Sequence, residues 1–185
     1  AGGWLVLTGS LPPGCPKDFY ARLTAAAPRC RVALDADGEA LARALGAGRN
    51  ELAPYLVKPN RREMEGLVGR SLGSTEEVRR AAGALLDRGV RAAVVSLGAE
   101  GALLVSREEC LYAPPADVAV RSTVGAGDAM VAGIVAGLDA GRPLGEAFRM
   151  GVAAASAAVA TEGTQAAPQA AYQHIYETIT IQRVI

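Results

Sequence analysis

Short apolar runs that alternate with helix-patterned stretches constrain this chain's fold more than any other feature. Trp4-Leu5-Val6-Leu7-Thr8, Arg31-Val32-Ala33-Leu34, Tyr55-Leu56-Val57 and Ala92-Ala93-Val94-Val95-Ser96-Leu97 read as strands. Continuous rather than alternating hydrophobicity predicts strands covered on both faces. Helical patterning follows from about Lys17 to Ala27, from Glu39 to Leu45, and through Met64, Leu67 and Val68. Strands separated by helices must run parallel, because the crossover returns the chain to the same end of the sheet. The expectation is a doubly wound α/β fold with a mostly parallel sheet. Repeats, linkers and low-complexity segments are absent from the sequence, so residues 1–185 read as a single α/β domain.

Local signals place the remaining elements. Asn60 is a good N-cap, and Ser74 with Glu77 has the capping-box spacing for a helix that reaches about Arg88 and stops at Gly89. Gly98-Ala99-Glu100-Gly101 reads as a hairpin-like return into Ala102–Val105. Leu111-Tyr112-Ala113 reads as a short strand closed by Pro114-Pro115. Pro143 opens a helix that continues to Val159 and is stopped by Gly163, Ala167 to Tyr176 forms a last helix, and Ile179 to Val184 is β-rich.

Composition removes several classes of function. The net formal charge is zero, and the only lysines are Lys17 and Lys58. With no basic block, neither nucleic acid nor an anionic membrane is an expected partner. His174 is the single histidine, which excludes His-based triads and His-rich metal sites. Cys15, Cys30 and Cys110 match no zinc or redox spacing and read as reduced thiols of a cytoplasmic protein. No apolar run approaches the ~20 residues of a transmembrane helix, and no signal peptide is visible. The opening Ala-Gly-Gly, running at once into a strand, reads as a chain that begins inside a fold.

One stretch carries chemistry. Val120 to Gly133 reads as a strand end, in which Val118 and Val120 alternate with smaller or polar neighbours, then a glycine turn and a helix start. Val131, Ile134, Val135 and Leu138 fall on one helical face. Gly125, Ala126 and Gly127 bracket the helix start, where free N–H groups and the helix dipole favour an anion. Asp128 places a carboxylate beside that anion site, as a base for a phosphoryl acceptor requires. Asp is also common in the first turn of any helix. The stretch is neither a Walker A loop, since no Gly-Lys pair occurs, nor a dinucleotide fingerprint, which needs a third glycine.

Ser122-Thr123-Val124-Gly125-Ala126-Gly127-Asp128 resembles the signature of the ribokinase-like (PfkB) sugar kinases, closest in form to the 1-phosphofructokinase and tagatose-6-phosphate kinase branch. The resemblance implies a three-layer ribokinase-like fold, of which this chain is the C-terminal part without the N-terminal part and β-lid. It implies that the backbone of Gly125, Ala126 and Gly127 forms the anion hole and that Asp128 is the base on the sugar hydroxyl. Ser96-Leu97-Gly98-Ala99-Glu100-Gly101 is similar to the family's ATP loop, so Ser96, Leu97, Gly98, Ala99, Glu100 and Gly101 are carried over as nucleotide contacts. Asn60-Arg61-Arg62-Glu63 matches the family's Asn-x-x-Glu motif, which places Asn60 near the nucleotide phosphates and Glu63 near Mg²⁺. From the residues alone, the favoured reading of Glu63 is a capping box with Asn60, and Lys58 either offsets phosphate charge or is solvated.

Ser10, in Gly9-Ser10-Leu11-Pro12-Pro13-Gly14, is similar to a loop beside the sugar phosphate. Asp35 and Asp37 read as a metal pair or, from their place before a helix, as caps, with Asp37 the natural one. Ala-rich Gly151 to Val159 suits close helix–sheet packing, and in the family the equivalent helix sits beside adenine. Some relatives bind a monovalent cation through an aspartate where this chain has Ser122. The implied activity is MgATP-dependent phosphorylation of a phosphorylated ketohexose, with fructose 1-phosphate giving fructose 1,6-bisphosphate. Tagatose-6-phosphate kinase activity, 6-phosphofructokinase activity and a nucleotide-binding fragment without turnover are the alternatives. Full members often dimerise through the lid, so the resemblance implies a homodimer for the whole protein.

Overall fold

The computed structural model describes residues 2–46, 53–163 and 165–184. The chain divides into two compact units, Ala1–Ser96 with Leu103–Cys110, and Leu97–Ala102 with Leu111–Ile185.

The first unit is an alternating βα array. β1 (Trp4–Thr8), β2 (Arg31–Asp35), β3 (Leu56–Val57) and β4 (Ala92–Ser96) lie side by side in chain order and pair in parallel, and β5 (Ala102–Ser106) adjoins β4. The helices α1 (Phe19–Ala26), α2 (Gly38–Gly46), α3 (Arg61–Val68) and α4 (Thr75–Leu86) alternate with them. The expected order of strands and helices is therefore observed here. Val32, Ala33, Leu34, Leu56, Val57 and the β4 residues Ala92–Val95 are almost wholly buried, as continuous apolar strands should be.

β1 departs from that expectation. It ends the strand order, only Leu7 in it is buried, and Val6 is 44% exposed. Its aromatic end is held locally, with the Arg31 guanidinium 4.4 Å from the Trp4 ring centroid and Tyr55 edge-on to Trp4.

The capping signals resolve differently in α3 and α4. Asn60 and Glu63 form the full reciprocal box. Ser74 accepts from the Glu77 amide, but the Glu77 carboxylate accepts from the Gly73 amide rather than from Ser74. Arg70 binds the same carboxylate at 2.8 Å and draws it out of the box.

The second unit contains a 3₁₀ turn (Gly98–Glu100), β6 (Cys110–Ala113), α5 (Ala126–Asp139), α6 (Leu144–Val159), α7 (Gln169–Thr178) and β7 (Gln182–Arg183). β6 and β7 pair antiparallel. The expected strand through Val118 and Val120 is absent, and Val120 is 70% exposed. After Pro114-Pro115 the segment pairs with no strand among the described residues; the Arg121 and Ser122 amides both donate to the Val159 carbonyl at the end of α6. Of the expected β-rich tail, only Gln182–Arg183 pairs as a strand.

α5 and α6 cross at glycines. A Cβ at Gly133 would lie 2.8 Å from Gly151 Cα, and one at Gly151 would lie 2.4 Å from Ile134 Cγ1. Gly151 thus serves a close approach of α6 to another helix, α5, rather than the helix–sheet packing expected of this stretch. Arg149 ties α6 to the end of α7 by donating to the Ile179 and Tyr176 carbonyls and stacking on Tyr176. Among the described residues, no helix is long and apolar enough to cross a membrane.

Candidate active site

Parallel pairing brings the C-terminal ends of β1, β2 and β3 level, and the expected residues of the first unit gather there. Thr8 is in register with Asp35, and Leu34 with Val57. Beyond the strands the register is continued by Gly9 N donating to the Asp35 carbonyl at 2.9 Å and Lys58 N donating to the Leu34 carbonyl at 3.0 Å. Open α/β sheets present their ligand-binding loops at this edge.

Lys58 is not a solvated lysine. It is only 4% exposed, and its Nζ lies 3.2 Å from the Asp35 carboxylate. Asp35 is therefore a charge partner rather than half of a metal pair with Asp37. Asp37 contributes its carbonyl to the first backbone bond of α2, accepting from Leu41 N, while its carboxylate accepts a 2.6 Å bond from Ser10 Oγ. The hydroxyl expected to meet a sugar phosphate thus has its proton on Asp37. Tyr20, buried on α1, fixes the same loop by directing its hydroxyl to the Thr8 and Gly9 carbonyls, each at 2.9 Å. Burial raises the Tyr20 pKa, and the nearby Asp37, Cys15 and Asp35 add to the rise.

Glu63 Oε2 accepts from the Asn60 amide at 2.7 Å, and Asn60 Oδ1 accepts from the Glu63 amide at 2.9 Å. The cap is therefore real, which leaves the second carboxylate oxygen as the donor for the metal role. Burial raises the Glu63 pKa; the Asn60 amide and the Lys58 charge oppose the rise, and Asp35 and Asp37 add to it. Asn60, Arg62 and Glu63 line a cavity of about 550 Å³ with Gly38 and Glu39. Among the described residues no three His, Cys, Asp or Glu side chains cluster as a metal cage. A half-buried carboxylate at a roomy cavity suits Mg²⁺, which keeps its waters and takes few protein oxygens. Ser96 joins this group through a parallel bridge to Asn60, its amide donating to the Pro59 carbonyl at 3.1 Å.

The second unit holds the other expected residues. Leu97 to Gly101 form a tight turn closed by Leu97 N donating to the Gly101 carbonyl at 2.8 Å. Gly101 has φ 88°, and a Cβ there would lie 2.1 Å from the Ala113 carbonyl oxygen, so only glycine fits.

At the start of α5, Gly125 is the N-cap with φ 79°. Ala126 N makes one long bond, 3.4 Å, to the Thr123 carbonyl, and Ala129 N begins the helical ladder on the Gly125 carbonyl. The Gly127 and Asp128 amides carry no backbone bond among the described residues, which leaves two donors at the positive end of the helix dipole. The Asp128 side chain is exposed in this first turn. With Val124, Gly125, Ala129 and Tyr172 it lines a cavity of about 620 Å³. The turn is braced by Ser122 Oγ, which accepts from Val124 N, and by the Arg121–Glu162 ion pair at 2.7 Å.

A glycine turn with free amides and an adjacent exposed carboxylate can hold a phosphoryl group beside a base. The model of one protein family, described as the pfkB family carbohydrate kinase, matches residues 2–171. The chain belongs to the pfkB carbohydrate kinase family. The 1-phosphofructokinase of Xanthomonas campestris pv. campestris is 49% identical over 138 residues, 74% of this chain and 43% of that protein. The ATP-dependent 6-phosphofructokinase isozyme 2 of Escherichia coli is 42% identical over 179 residues, 95% of this chain and 57% of that protein.

The α/β fold with a mostly parallel sheet is that of solved family structures. The Escherichia coli phosphofructokinase-2 in complex with potassium superposes with TM-score 0.87 and 42% identity, over 96% of this chain and 57% of that one. A phosphofructokinase-like protein of Staphylococcus aureus gives TM-score 0.86 at 29% identity, over 98% of this chain and 57% of that one. The chain spans between two-fifths and three-fifths of the length of these relatives.

Asp35 as the Lys58 partner, Asp37 as the Ser10 partner and Tyr20 as the brace of the Ser10 loop are not legible in the sequence. No local signal announces them, because each pairing joins positions 11 to 27 residues apart in sequence.

Proposed function

We propose that this chain is the nucleotide-binding and phosphoryl-transfer part of an ATP-dependent sugar-phosphate kinase. The acceptor is a phosphorylated ketohexose, with fructose 1-phosphate as substrate and fructose 1,6-bisphosphate as product. The observation that carries the reading is the α5 start, where an exposed Asp128 follows a left-handed Gly125 and two unbonded amides in a pfkB family chain. Asp128 accepts the proton of the acceptor hydroxyl. Its place in the first turn of α5 sets the carboxylate beside the amides that hold the phosphoryl group. The Gly127 and Asp128 amides donate to the oxygens of the phosphoryl group, where charge is spread in a loose transition state. Asn60 and the Ser96–Gly101 turn bind the nucleotide, and Glu63 would hold Mg²⁺. Mg²⁺, when bound with ATP, offsets the charge of the phosphates. Lys58, already paired with Asp35, adds a fixed positive charge at the strand ends. Self-association belongs to the whole protein in this reading.

The similarity to an Escherichia coli 6-phosphofructokinase over 95% of this chain favours fructose 6-phosphate as the second reading. ADP release from MgATP, measured with fructose 1-phosphate, fructose 6-phosphate and tagatose 6-phosphate, separates the acceptors. Asp128→Asn is expected to lower turnover about 10²- to 10⁴-fold while leaving ATP affinity unchanged. Turnover at the wild-type rate in that variant refutes the role of Asp128. Nucleotide binding without turnover for any acceptor reduces the chain to a nucleotide-binding fragment.

A further inference from the structure

Within the second unit, the turn read above as a nucleotide contact has little bonding of its own. Among the described residues, the backbone bonds inside it besides the Leu97–Gly101 bond are Glu100 N to the Leu97 carbonyl and Gly101 N to the Gly98 carbonyl, each at 3.2 Å. Gly98 and Gly101 both sit at positive φ, 62° and 88°, and glycine leaves such a conformation more readily than any other residue. A turn so built needs an outside brace to hold one shape, and β6 supplies it. The Ala113 and Pro114 backbone presses on Gly101 so closely that no Cβ fits. One residue earlier, Tyr112 directs its hydroxyl to the Glu100 carbonyl and donates a 2.8 Å bond across the turn. Tyr112 is itself fixed, because its strand pairs with β7 and Tyr112 stands opposite Gln182. A ring with two torsions, on a paired strand, holds the carbonyl at small entropic cost.

We propose that Tyr112 is a positioning residue for nucleotide binding, holding the Leu97–Gly101 turn in its binding shape through the Glu100 carbonyl. This inference rests on the reading of that turn as an ATP contact. Without the hydroxyl, the Glu100 carbonyl loses this bond and the turn samples other glycine conformers more often. The apparent affinity then falls in proportion to the population that still has the binding shape. Tyr112→Phe removes the donor and keeps the ring. The loss of one neutral hydrogen bond sets the size of the effect, about three- to tenfold in Kd for MgATP.

The test is calorimetric titration of the wild-type chain and Tyr112→Phe with MgATP, together with thermal unfolding and amide exchange of the turn. The expected result is a three- to tenfold weaker Kd, an unchanged Tm, and faster exchange confined to Leu97, Glu100 and Gly101. In turnover, KM for MgATP rises by the same factor while kcat and the KM for sugar phosphate hold. Equal Kd values in the two proteins, with nucleotide bound by both, overturn the role of Tyr112 and leave the nucleotide site standing. A Tm that falls in step with affinity also overturns it, because the hydroxyl would then support the fold rather than the turn. A wild-type chain that binds no MgATP overturns the nucleotide reading and this inference together.

Discussion

Replacing Asp35 by Asn would remove the carboxylate ion-paired with the buried Lys58 ammonium. The Lys58 side chain is 5% exposed and that of Asp35 17%, with 3.2 Å between Nζ and the carboxylate. Removing one member of a buried pair costs about 3–5 kcal/mol, because the remaining charge keeps its desolvation penalty and loses the attraction that offset it. Asp35 retains some contact with water, so the lower end applies, about 3 kcal/mol. For a chain of this size each kcal/mol lowers Tm by about 2–4 °C, giving a fall of about 6–12 °C. Urea unfolding followed through Trp4 measures the loss directly, since the single tryptophan is packed against Tyr55 and under Arg31. The midpoint should fall with an unchanged slope. Asp35→Leu combined with Lys58→Met should recover most of the stability, because an apolar pair carries no stranded charge. A loss below about 1 kcal/mol for Asp35→Asn is the value of a solvent-screened pair and would refute the buried-charge argument.

Two further outcomes test other parts of the structure. Burial raises the Glu63 pKa above its ordinary 4.5, so its folded form binds a proton more readily than its unfolded form. Its contribution to stability is therefore full below the ordinary value and is lost as pH rises through the raised one. Glu63→Gln keeps an oxygen for the Asn60 amide and has no such loss, so it should gain on the wild type as pH rises from about 4 to 7. Parallel profiles in urea titrations across that range would contradict the shift. Gly133→Ala would force a Cβ to 2.8 Å from the Gly151 Cα and the Met150 carbonyl oxygen, both backbone atoms that yield poorly. It should cost about 3 kcal/mol, the upper end of overpacking. Gly83→Ala in α4 meets nothing within 4 Å and should stabilise by about 0.5–1 kcal/mol. Equal thermal midpoints for these two variants would disprove the close crossing of α5 and α6.

Interactions that close within four or five residues were legible in the sequence. The order of strands and helices in the first unit follows from hydrophobic period alone. The Asn60–Glu63 box follows from cap chemistry, in which donor and acceptor sit on the same helical turn, and the turn before Asp128 follows from Gly125, which takes the left-handed conformation there. The same local logic failed where a distant group competed. Glu77 has box spacing but is taken by Arg70 and Gly73, and Val118 and Val120 alternate like a strand yet have no strand to pair with. Trp4–Thr8 reads as buried on both faces, but strand order places β1 at an end, and Val6 is exposed.

Only the tertiary structure decided which charges and donors meet. Lys58 finds Asp35 because β2 and β3 pair in parallel and end level, and Ser10 finds Asp37 because β1 and β2 do the same. Tyr112 reaches Glu100 because the chain turns back at Gly101 and returns through β6. Side-chain chemistry can be read position by position. Its partners depend on strand order and register, which are set by how the whole apolar surface is buried.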